Sequence, residues 1–334
     1  MPQLSRYLRV TWILSAETVL KFPDSSSVRF FGEGEADSLA KKTRKRNVFA
    51  RHSWENSFYL QRIGELSNHT VIEVFRPGDP QDMAGEAESV GDLIEKLAVL
   101  SSTLALHKQK LQRKLGISPR PQTEIDFIIG PEFRYLRSRS RSVPTAQGIQ
   151  VDELFCRRFS RCGFFNLYEY CLSPGDLQKR VNSSLDWLFK SRREPGLPAS
   201  VVKTAIALES LLIFNESESL ARSLSERVAF VLSSSPETRE QISKIVKRFY
   251  NARSGVVHGS RKKMRDLSPS LIEAVDRLSV LLYLTIGMNP QLWPSAEDLR
   301  RWCEMQRWGE PSTEVEIPYP STYLKNAIAL SQKG

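Results

Sequence analysis

An arginine and a histidine stand five positions apart in the segment Tyr250–Gly259, as Arg253 and His258. A guanidinium stays cationic at any working pH and stabilises negative charge that develops on a phosphate. An imidazole titrates near neutral pH and can accept or donate a proton. Together these two side chains have the groups needed for phosphodiester chemistry without a metal ion.

The arginine–histidine spacing is by itself a weak signal, because the chain is rich in arginine. Three pairs have four to six residues between the arginine and the histidine: Arg46 with His52, Arg62 with His69, and Arg253 with His258. The first belongs to the cationic run 41–46, which we predict to be a solvated loop between strands. The second flanks a predicted turn. The third closes a long amphipathic helix, Thr238–Ala252, and is therefore the candidate site.

The elements that must position this pair are helices. Apolar residues recur every three or four positions through the C-terminal half of the chain, as is typical of amphipathic helices. The predicted helices are Asp176–Lys190, Ala199–Phe214, Ser219–Leu232, Thr238–Ala252 and Pro269–Met288. Ser268 is the expected N-cap of the last of these. Helices of this length joined by short loops favour an up-and-down bundle.

The first 150 residues have a different pattern. Short segments rich in β-branched and aromatic residues predict strands at 8–14, 28–31, 58–63, 70–75 and 124–129. A leucine repeat predicts a long helix between Leu93 and Leu115. The fold class is therefore α+β, with a mixed N-terminal domain at 1–150, a possible sensor or recognition module, and an all-α bundle at 151–310. Residues 311–334, which are rich in proline, serine and threonine, are predicted to form an extended tail.

The charge balance favours a polyanionic partner. The net charge is +10, and 40% of the residues are hydrophobic and 26% charged, as in a globular protein. No apolar run approaches the roughly 20 residues that a membrane span needs. We therefore expect no membrane partner and predict a cytoplasmic protein.

The cysteines do not predict a metal site. Cys156, Cys162, Cys171 and Cys303 lack the short paired spacing of zinc ligands, and no histidine lies near the first three in sequence. We expect free, partly buried thiols and neither a metal nor another cofactor.

Three segments together resemble the HEPN superfamily, and most closely its Apea-like domains. The first is Ala207–Leu212, with the sequence Ala-Leu-Glu-Ser-Leu-Leu, and the second is Leu224–Ala229. The third is Tyr250-x-x-Arg253-Ser254-x-x-x-His258-Gly259. The resemblance covers about residues 175–290 and depends on the order and spacing of all three segments.

The resemblance implies a helical bundle that forms a homodimer and carries a metal-independent endoribonuclease site. His258 would take the proton of a ribose 2′-hydroxyl, Arg253 would stabilise the transition state, and Ser254 would position a phosphate oxygen. The supporting residues would be Glu209, Tyr250 and Asn251. The products would be a 2′,3′-cyclic phosphate and a 5′-hydroxyl. Many members have Asn, Asp or His directly after the arginine, where this chain has Ser254.

The geometry of a helix bears on how the two groups could meet. Five positions on one helix amount to about 140° of rotation, which separates Arg253 from His258. A two-fold dimer can bring both pairs to one cleft, or the chain can leave helical geometry at Gly255. A buried glutamate needs a cation near it, so Glu209 is expected to pair with Arg253.

Basic residues near the pair predict contacts to RNA phosphates. The nearest are Arg261, Lys262, Lys263 and Arg265. Others that would extend the track are Arg157, Arg158, Arg161, Arg192, Arg193 and the alternating segment Arg137–Arg141. Each of these clusters can equally be a solvated surface. Phe164 and Phe165 could stack on bases, and we favour the interpretation that they belong to the core.

The leading hypothesis is an endoribonuclease of HEPN type, acting in bacterial anti-phage defence or as a toxin, as the resemblance implies. RNA is then the expected partner, with a regulatory or antitoxin protein as a further one. Two alternatives stay open: a non-catalytic HEPN module that binds RNA or a nucleotide, and an interaction protein whose bundle only dimerises. The sequence favours an enzyme without establishing one.

Overall fold

The structure is a computed structural model of the whole chain. It describes residues 4–11, 14–46, 66–105, 122–130, 136–143, 149–194, 196–215, 219–259, 267–309 and 314–332. The chain divides into two compact units. The first contains residues 1–99 and 115–157, and the second contains residues 100–114 and 158–334. The predicted boundary at residue 150 thus differs by a few residues, and a short internal segment joins the second unit.

The first unit is built on an antiparallel sheet. Its strands are β1 (Leu4–Thr11), β3 (Leu20–Lys21), β4 (Ser27–Phe31), β5 (His69–Pro77), β6 (Gln122–Ile129) and β7 (Leu136–Val143), in the order β3-β4-β5-β1-β6-β7. A separate parallel pair joins β2 (Leu14–Ala16) to β8 (Ile149–Val151). Strand β1 lies between β5 and β6, and residues 7–11 of this strand are buried.

Helices α1 (Glu33–Arg46) and α2 (Pro80–Ser102) flank this sheet. Alternate residues of β1 divide between the two faces. Leu8 and Val10 share an apolar cluster with Ala36 and Leu39 of α1. Residues of the other parity contact α2, where Thr11 donates a hydrogen bond to Glu95 at 2.8 Å. The buried Glu73 of β5 lies directly opposite Leu8, so buried polar groups occur on both faces of the sheet.

The second unit is helical. Helix α3 (Glu153–Arg161) begins in the first unit and ends in the second. The other helices of the second unit are α4 (Phe164–Leu172), α5 (Asp176–Arg192), α6 (Leu197–Leu212), α7 (Leu220–Leu232), α8 (Pro236–Val257), α9 (Pro269–Met288), α10 (Ala296–Trp308) and α11 (Ser321–Ser331). Helix α9 contacts α4, α6, α7, α8 and α11, and it is buried from Leu271 to Gly287 except at Glu273. It is therefore the central helix of the bundle.

The central helix has the bounds that its sequence predicts. Pro269 occupies its first turn, and the hydroxyl of Ser268 accepts a hydrogen bond from the Leu271 N–H at 3.1 Å. Near its other end a Cβ at Gly287 would lie 2.9 Å from the Cα of Leu167. Glycine there allows α9 and α4 to approach closely.

The coarse fold class is confirmed, since an antiparallel sheet is followed by a mostly helical region. Two local predictions were wrong. The cationic run 41–46 is the last part of α1 rather than a loop, and the acidic Glu33 and Glu35 in the first turn of this helix suit the helix dipole. The predicted extended tail contains α11, which packs on α9 and α8 through Ala327 and Ile328. The predicted strand at 58–63 lies outside the described residues.

Candidate functional site

Helix α8 carries Arg253, and His258 directly follows its last residue, Val257. Ser235 caps its start by accepting a hydrogen bond from the Thr238 N–H at 3.4 Å. Its buried face includes Ile242, Val246 and Phe249. The helix continues to Val257, five residues further than the sequence predicts, with Gly255 buried inside it. The alternative in which the chain leaves helical geometry at Gly255 is therefore wrong.

Three of the predicted site residues lie together between α6 and α8. The Glu209 Oε1 atom accepts a hydrogen bond from the hydroxyl of Tyr250. The Arg253 Nη2 atom lies 3.5 Å from the same carboxylate oxygen. The Arg253 guanidinium carbon lies 5.5 Å from the centre of the Tyr250 ring, within the range of a cation–π contact. The expected pairing of Glu209 with Arg253 is thus present.

This cluster is half-buried, which shapes its electrostatics. The side chains of Glu209 and Arg253 are 22% and 23% exposed. Burial raises the pKa of Glu209, and the nearby Arg253 charge lowers that pKa without cancelling the effect. Among the described residues, the buried Nε of Arg253 has no hydrogen-bond partner. The guanidinium is therefore positioned by α6, and a ligand could reach only the exposed part of the side chain.

His258 lies at the very end of α8. Its backbone N–H donates to the Ser254 carbonyl at 3.0 Å, and Gly259 follows with a φ of +68°, the left-handed conformation that commonly ends a helix. The imidazole is exposed, and within the described part of the chain no hydrogen bond to it is found. The imidazole of His258 is thus accessible to solvent at the C-terminal end of α8.

Arg253 and His258 do not face the same side of α8. Since the helix is intact between them, their side chains diverge by about 140° around its axis. Arg253 faces Glu209 of α6, and His258 is exposed at the helix end. One copy of the chain therefore presents the two groups in different directions.

The remaining predicted site residues fall into two groups. Ser254 is half-buried and Asn251 is exposed, and in the described structure no side-chain hydrogen bond joins either of them to Glu209. The four predicted RNA-binding cations, Arg261, Lys262, Lys263 and Arg265, lie outside the described residues. Their role stays a prediction.

Several of the more distant cations have structural partners. Arg192 is 4% exposed and donates to Asp276 of α9 at 3.2 Å, so its proposed place in an RNA track was wrong. Arg157 is exposed and forms an ion pair with Glu153 one helical turn away.

The aromatic and sulfur-containing residues behave as expected of a core. Phe164 is buried and stacks on Phe159 with 4.8 Å between ring centres, as predicted, while Phe165 is half-buried. All four cysteines are free, and three are buried. The described residues contain no group of three potential metal-binding side chains. His69 begins β5, with Nδ1 2.8 Å from the Ser67 carbonyl, whereas His52 and His107 lie outside the described residues.

One supporting group was missed by the sequence analysis. The guanidinium carbons of Arg180 and Arg227 lie 5.0 and 4.8 Å from the centre of the Phe214 ring. Arg180 also donates to the carbonyls of Ser210 and Ile213 at 3.0 Å. Arg227 donates to the Leu212 carbonyl.

We call Arg180, Phe214 and Arg227 the arginine–phenylalanine clasp. It satisfies carbonyl groups that the end of α6 leaves without partners inside the helix. Because Glu209 is in the last turn of α6, the clasp holds the segment that positions the carboxylate. The helix predicted as Ala199–Phe214 ends at Leu212, so Phe214 lies just beyond it, and an aromatic residue at a predicted helix end is a weak sequence signal for such a cap.

Comparison with family models, with curated proteins and with solved structures finds no match for this chain. The resemblance to Apea-like HEPN domains stays a prediction carried by the three segments. No helix in the described part of the chain has the length and apolar character needed to cross a membrane.

Proposed function

We propose that the protein is a metal-independent endoribonuclease of HEPN type. One observation carries the proposal: an exposed imidazole and a half-exposed guanidinium lie on the last turns of one helix, the guanidinium held by Glu209 and Tyr250. The net charge of +10 suits a polyanionic substrate. A role in anti-phage defence or as a toxin is part of the proposal and rests on the family resemblance alone.

The proposed reaction is an internal transesterification. The imidazole of His258 takes the proton of a ribose 2′-hydroxyl, and the 2′-oxygen forms a bond to the adjacent phosphorus. The bond from phosphorus to the 5′-oxygen breaks, and that oxygen takes a proton from a second His258 or from water. The products are a 2′,3′-cyclic phosphate and a 5′-hydroxyl. DNA lacks the 2′-hydroxyl and is not cut.

Arg253 stabilises the charge that accumulates on the phosphate oxygens. Its guanidinium is permanently cationic and presents several donors in one plane. The contact with Glu209 limits the rotamers of this long side chain, which lowers the cost of aligning it with a phosphate. Ser254, half-buried one position further along, is proposed to orient a phosphate oxygen.

A homodimer completes the proposed site. Because Arg253 and His258 diverge on one helix, a guanidinium from one copy and an imidazole from another must meet at the phosphate. Two-fold symmetry repeats any such contact, so one dimer would contain two equivalent pairs.

The decisive experiment is cleavage of a labelled single-stranded RNA in the presence of EDTA. We expect the wild-type protein to cut the RNA into cyclic-phosphate products and His258→Ala to lose this activity. A DNA strand of the same sequence serves as the control substrate. Cutting that persists in His258→Ala, or that needs a divalent ion, would contradict the proposal.

A second candidate function is a non-catalytic module that binds RNA or a nucleotide. The observation that favours it is the contact of Arg253 with Glu209 and Tyr250, which can equally fasten α8 to α6. This alternative predicts that RNA binding survives His258→Ala and that neither protein cuts RNA. A dimerising interaction protein predicts no salt-dependent affinity for RNA at all.

A further inference from the structure

A line of polar side chains runs along the exposed side of α8 and ends at His258. We call this the polar stripe, and its members are Lys244, Lys247, Asn251, Ser254 and His258. They are separated by three or four positions, so all lie within about 40° of His258 around the helix axis. Four of the five are exposed, and Ser254 is half-buried.

The acidic residues of α8 are confined to its first two turns. No acidic residue follows Glu240 in this helix. Lys244 forms an ion pair with Glu240 at 2.6 Å. Lys247 is exposed, and the described structure gives it no ion pair. The stripe beyond Lys244 is therefore cationic or neutral as far as His258.

These groups suit the backbone of a nucleic acid. An ammonium neutralises a phosphate, while an amide and a hydroxyl can hydrogen-bond to phosphate and ribose oxygens. Lys247 precedes His258 by eleven positions, or about 16 Å along the helix axis. That length accommodates a few nucleotides, with the imidazole at one end of the contact.

We propose that the polar stripe is the track on which the RNA strand approaches His258. Lys247 binds a phosphate away from the reacting one, and Asn251 contacts the nucleotide between them. The contact is with the sugar–phosphate backbone, so it positions the strand without selecting a sequence. This proposal rests on the proposed function, because it assigns the RNA that His258 would act on.

Arg253 points away from the stripe, by about 140° from His258. In this proposal the two copies of a dimer therefore contribute different residues to one site. One copy would hold the strand through Lys247 and supply the imidazole, and the other would supply the guanidinium.

The test compares Lys247→Gln with Lys179→Gln. Both lysines are exposed, and Lys179 lies on α5, which makes it a matched control. The probe is a short fluorescein-labelled single-stranded RNA with 2′-O-methyl riboses, which cannot react through a 2′-hydroxyl. Its binding is followed by fluorescence anisotropy over a series of KCl concentrations, and unmodified RNA is used in parallel for cleavage.

We expect Lys247→Gln to bind the probe about tenfold more weakly and Lys179→Gln to bind like the wild type. The slope of log affinity against log salt should become shallower by about 0.7, the value for one lost phosphate contact on a single strand. Cleavage by Lys247→Gln should show a raised KM with little change in kcat, since the lysine acts away from the reacting bond.

The outcomes separate this proposal from the proposed function. If the wild type binds and cuts RNA but Lys247→Gln matches it in affinity and salt slope, the track is overturned and the nuclease stands. If binding depends on Lys247 but no RNA is cut, the track stands and the nuclease falls. If the wild type binds no RNA, both fall. A change of oligomeric state in Lys247→Gln, with RNA affinity unchanged, would assign the stripe to a protein partner and overturn the track.

Discussion

Two arginines in different units have similar neighbours and different exposure. Arg9 in β1 and Arg253 in α8 each lie with the guanidinium carbon 5.5 Å from a tyrosine ring centre, those of Tyr7 and Tyr250. Each also contacts carboxylate groups. The side chain of Arg9 is fully buried, whereas that of Arg253 is 23% exposed.

The number of carboxylates also differs. Arg9 donates to Asp126 at 3.0 Å and to Asp92, and a Cβ at Gly91 would lie 3.7 Å from its guanidinium carbon. Among the described residues, Arg253 has a single carboxylate partner, Glu209, at 3.5 Å. A buried arginine that binds two carboxylates has a structural role. A partly exposed arginine with one carboxylate partner at 3.5 Å is available to a ligand. An arginine near a tyrosine is therefore not by itself a sign of function.

The largest expected effect is the loss of stability in Arg9→Ala. Removal of the guanidinium leaves the buried carboxylate of Asp126 without its cation, which costs about 3–5 kcal/mol. Hydrogen–deuterium exchange of the β1 amides in increasing urea measures this in the sheet unit itself. Arg6→Ala is the matched control on the same strand: it is 22% exposed, and its partner Glu73 keeps Arg29. If Arg6→Ala and Arg9→Ala lose the same free energy of unfolding, the burial of Arg9 does not make its ion pairs more important than those of Arg6.

The second effect is on activity rather than stability. Arg253→Ala should lower kcat for RNA cleavage about a hundredfold or more, as expected for a lost donor to the transition state. Its free energy of unfolding should fall by only about 1 kcal/mol, because the ion pair is partly exposed.

The control for Arg253 is Arg248→Ala on the same helix. Arg248 is half-buried and donates to the Ser331 carbonyl of α11 at 3.2 Å, so its loss affects packing of the C-terminal helix. We expect Arg248→Ala to retain cleavage. If unfolding and cleavage fall in parallel in both variants, Arg253 has the same structural role as Arg9.

The third effect concerns the arginine–phenylalanine clasp. Phe214→Ala removes the ring that both Arg180 and Arg227 contact, and it should destabilise the helical unit by about 2 kcal/mol, from two cation–π contacts and lost apolar burial. Urea denaturation measures it, with Phe214→Tyr as the variant that retains the ring. If the alanine variant is as stable as the tyrosine variant, the carbonyl hydrogen bonds alone hold the end of α6.

The sequence predicted those features that depend on local pattern. Helix α9 has its predicted bounds because an apolar period, a serine cap and a proline are all local signals. Strands β4, β5 and β6 were likewise visible in runs of β-branched and aromatic residues.

The features that were missed depend on residues far apart in the chain. Arg192 looked like a surface cation, and only the fold brings it to Asp276, 84 positions away. The cations at the end of α1 were read as a loop because the run has no apolar period. The Glu209–Arg253 contact could be expected, since a half-buried carboxylate needs a cation, but its weakness at 3.5 Å could not.

The smallest effect is a pH dependence that arises at Glu209. Burial raises the pKa of this carboxyl above its value in the unfolded chain. A group with a raised folded pKa favours the fold while it is protonated, and that contribution is lost as pH rises through the folded pKa. Glu209→Gln cannot ionise, so its free energy of unfolding should improve relative to the wild type as pH rises from about 4 to 7.

Arg253→Ala provides the opposite control for this pH series. The Arg253 charge lowers the pKa of Glu209, so its removal should raise that pKa further and make the loss of stability with rising pH steeper. Urea denaturation of the three proteins across the pH range measures both trends. If Arg253→Ala leaves the pH dependence unchanged, the guanidinium does not act on the carboxylate in solution. Arg253 would then contribute even less to the stability of the fold, and its difference from Arg9 would be larger.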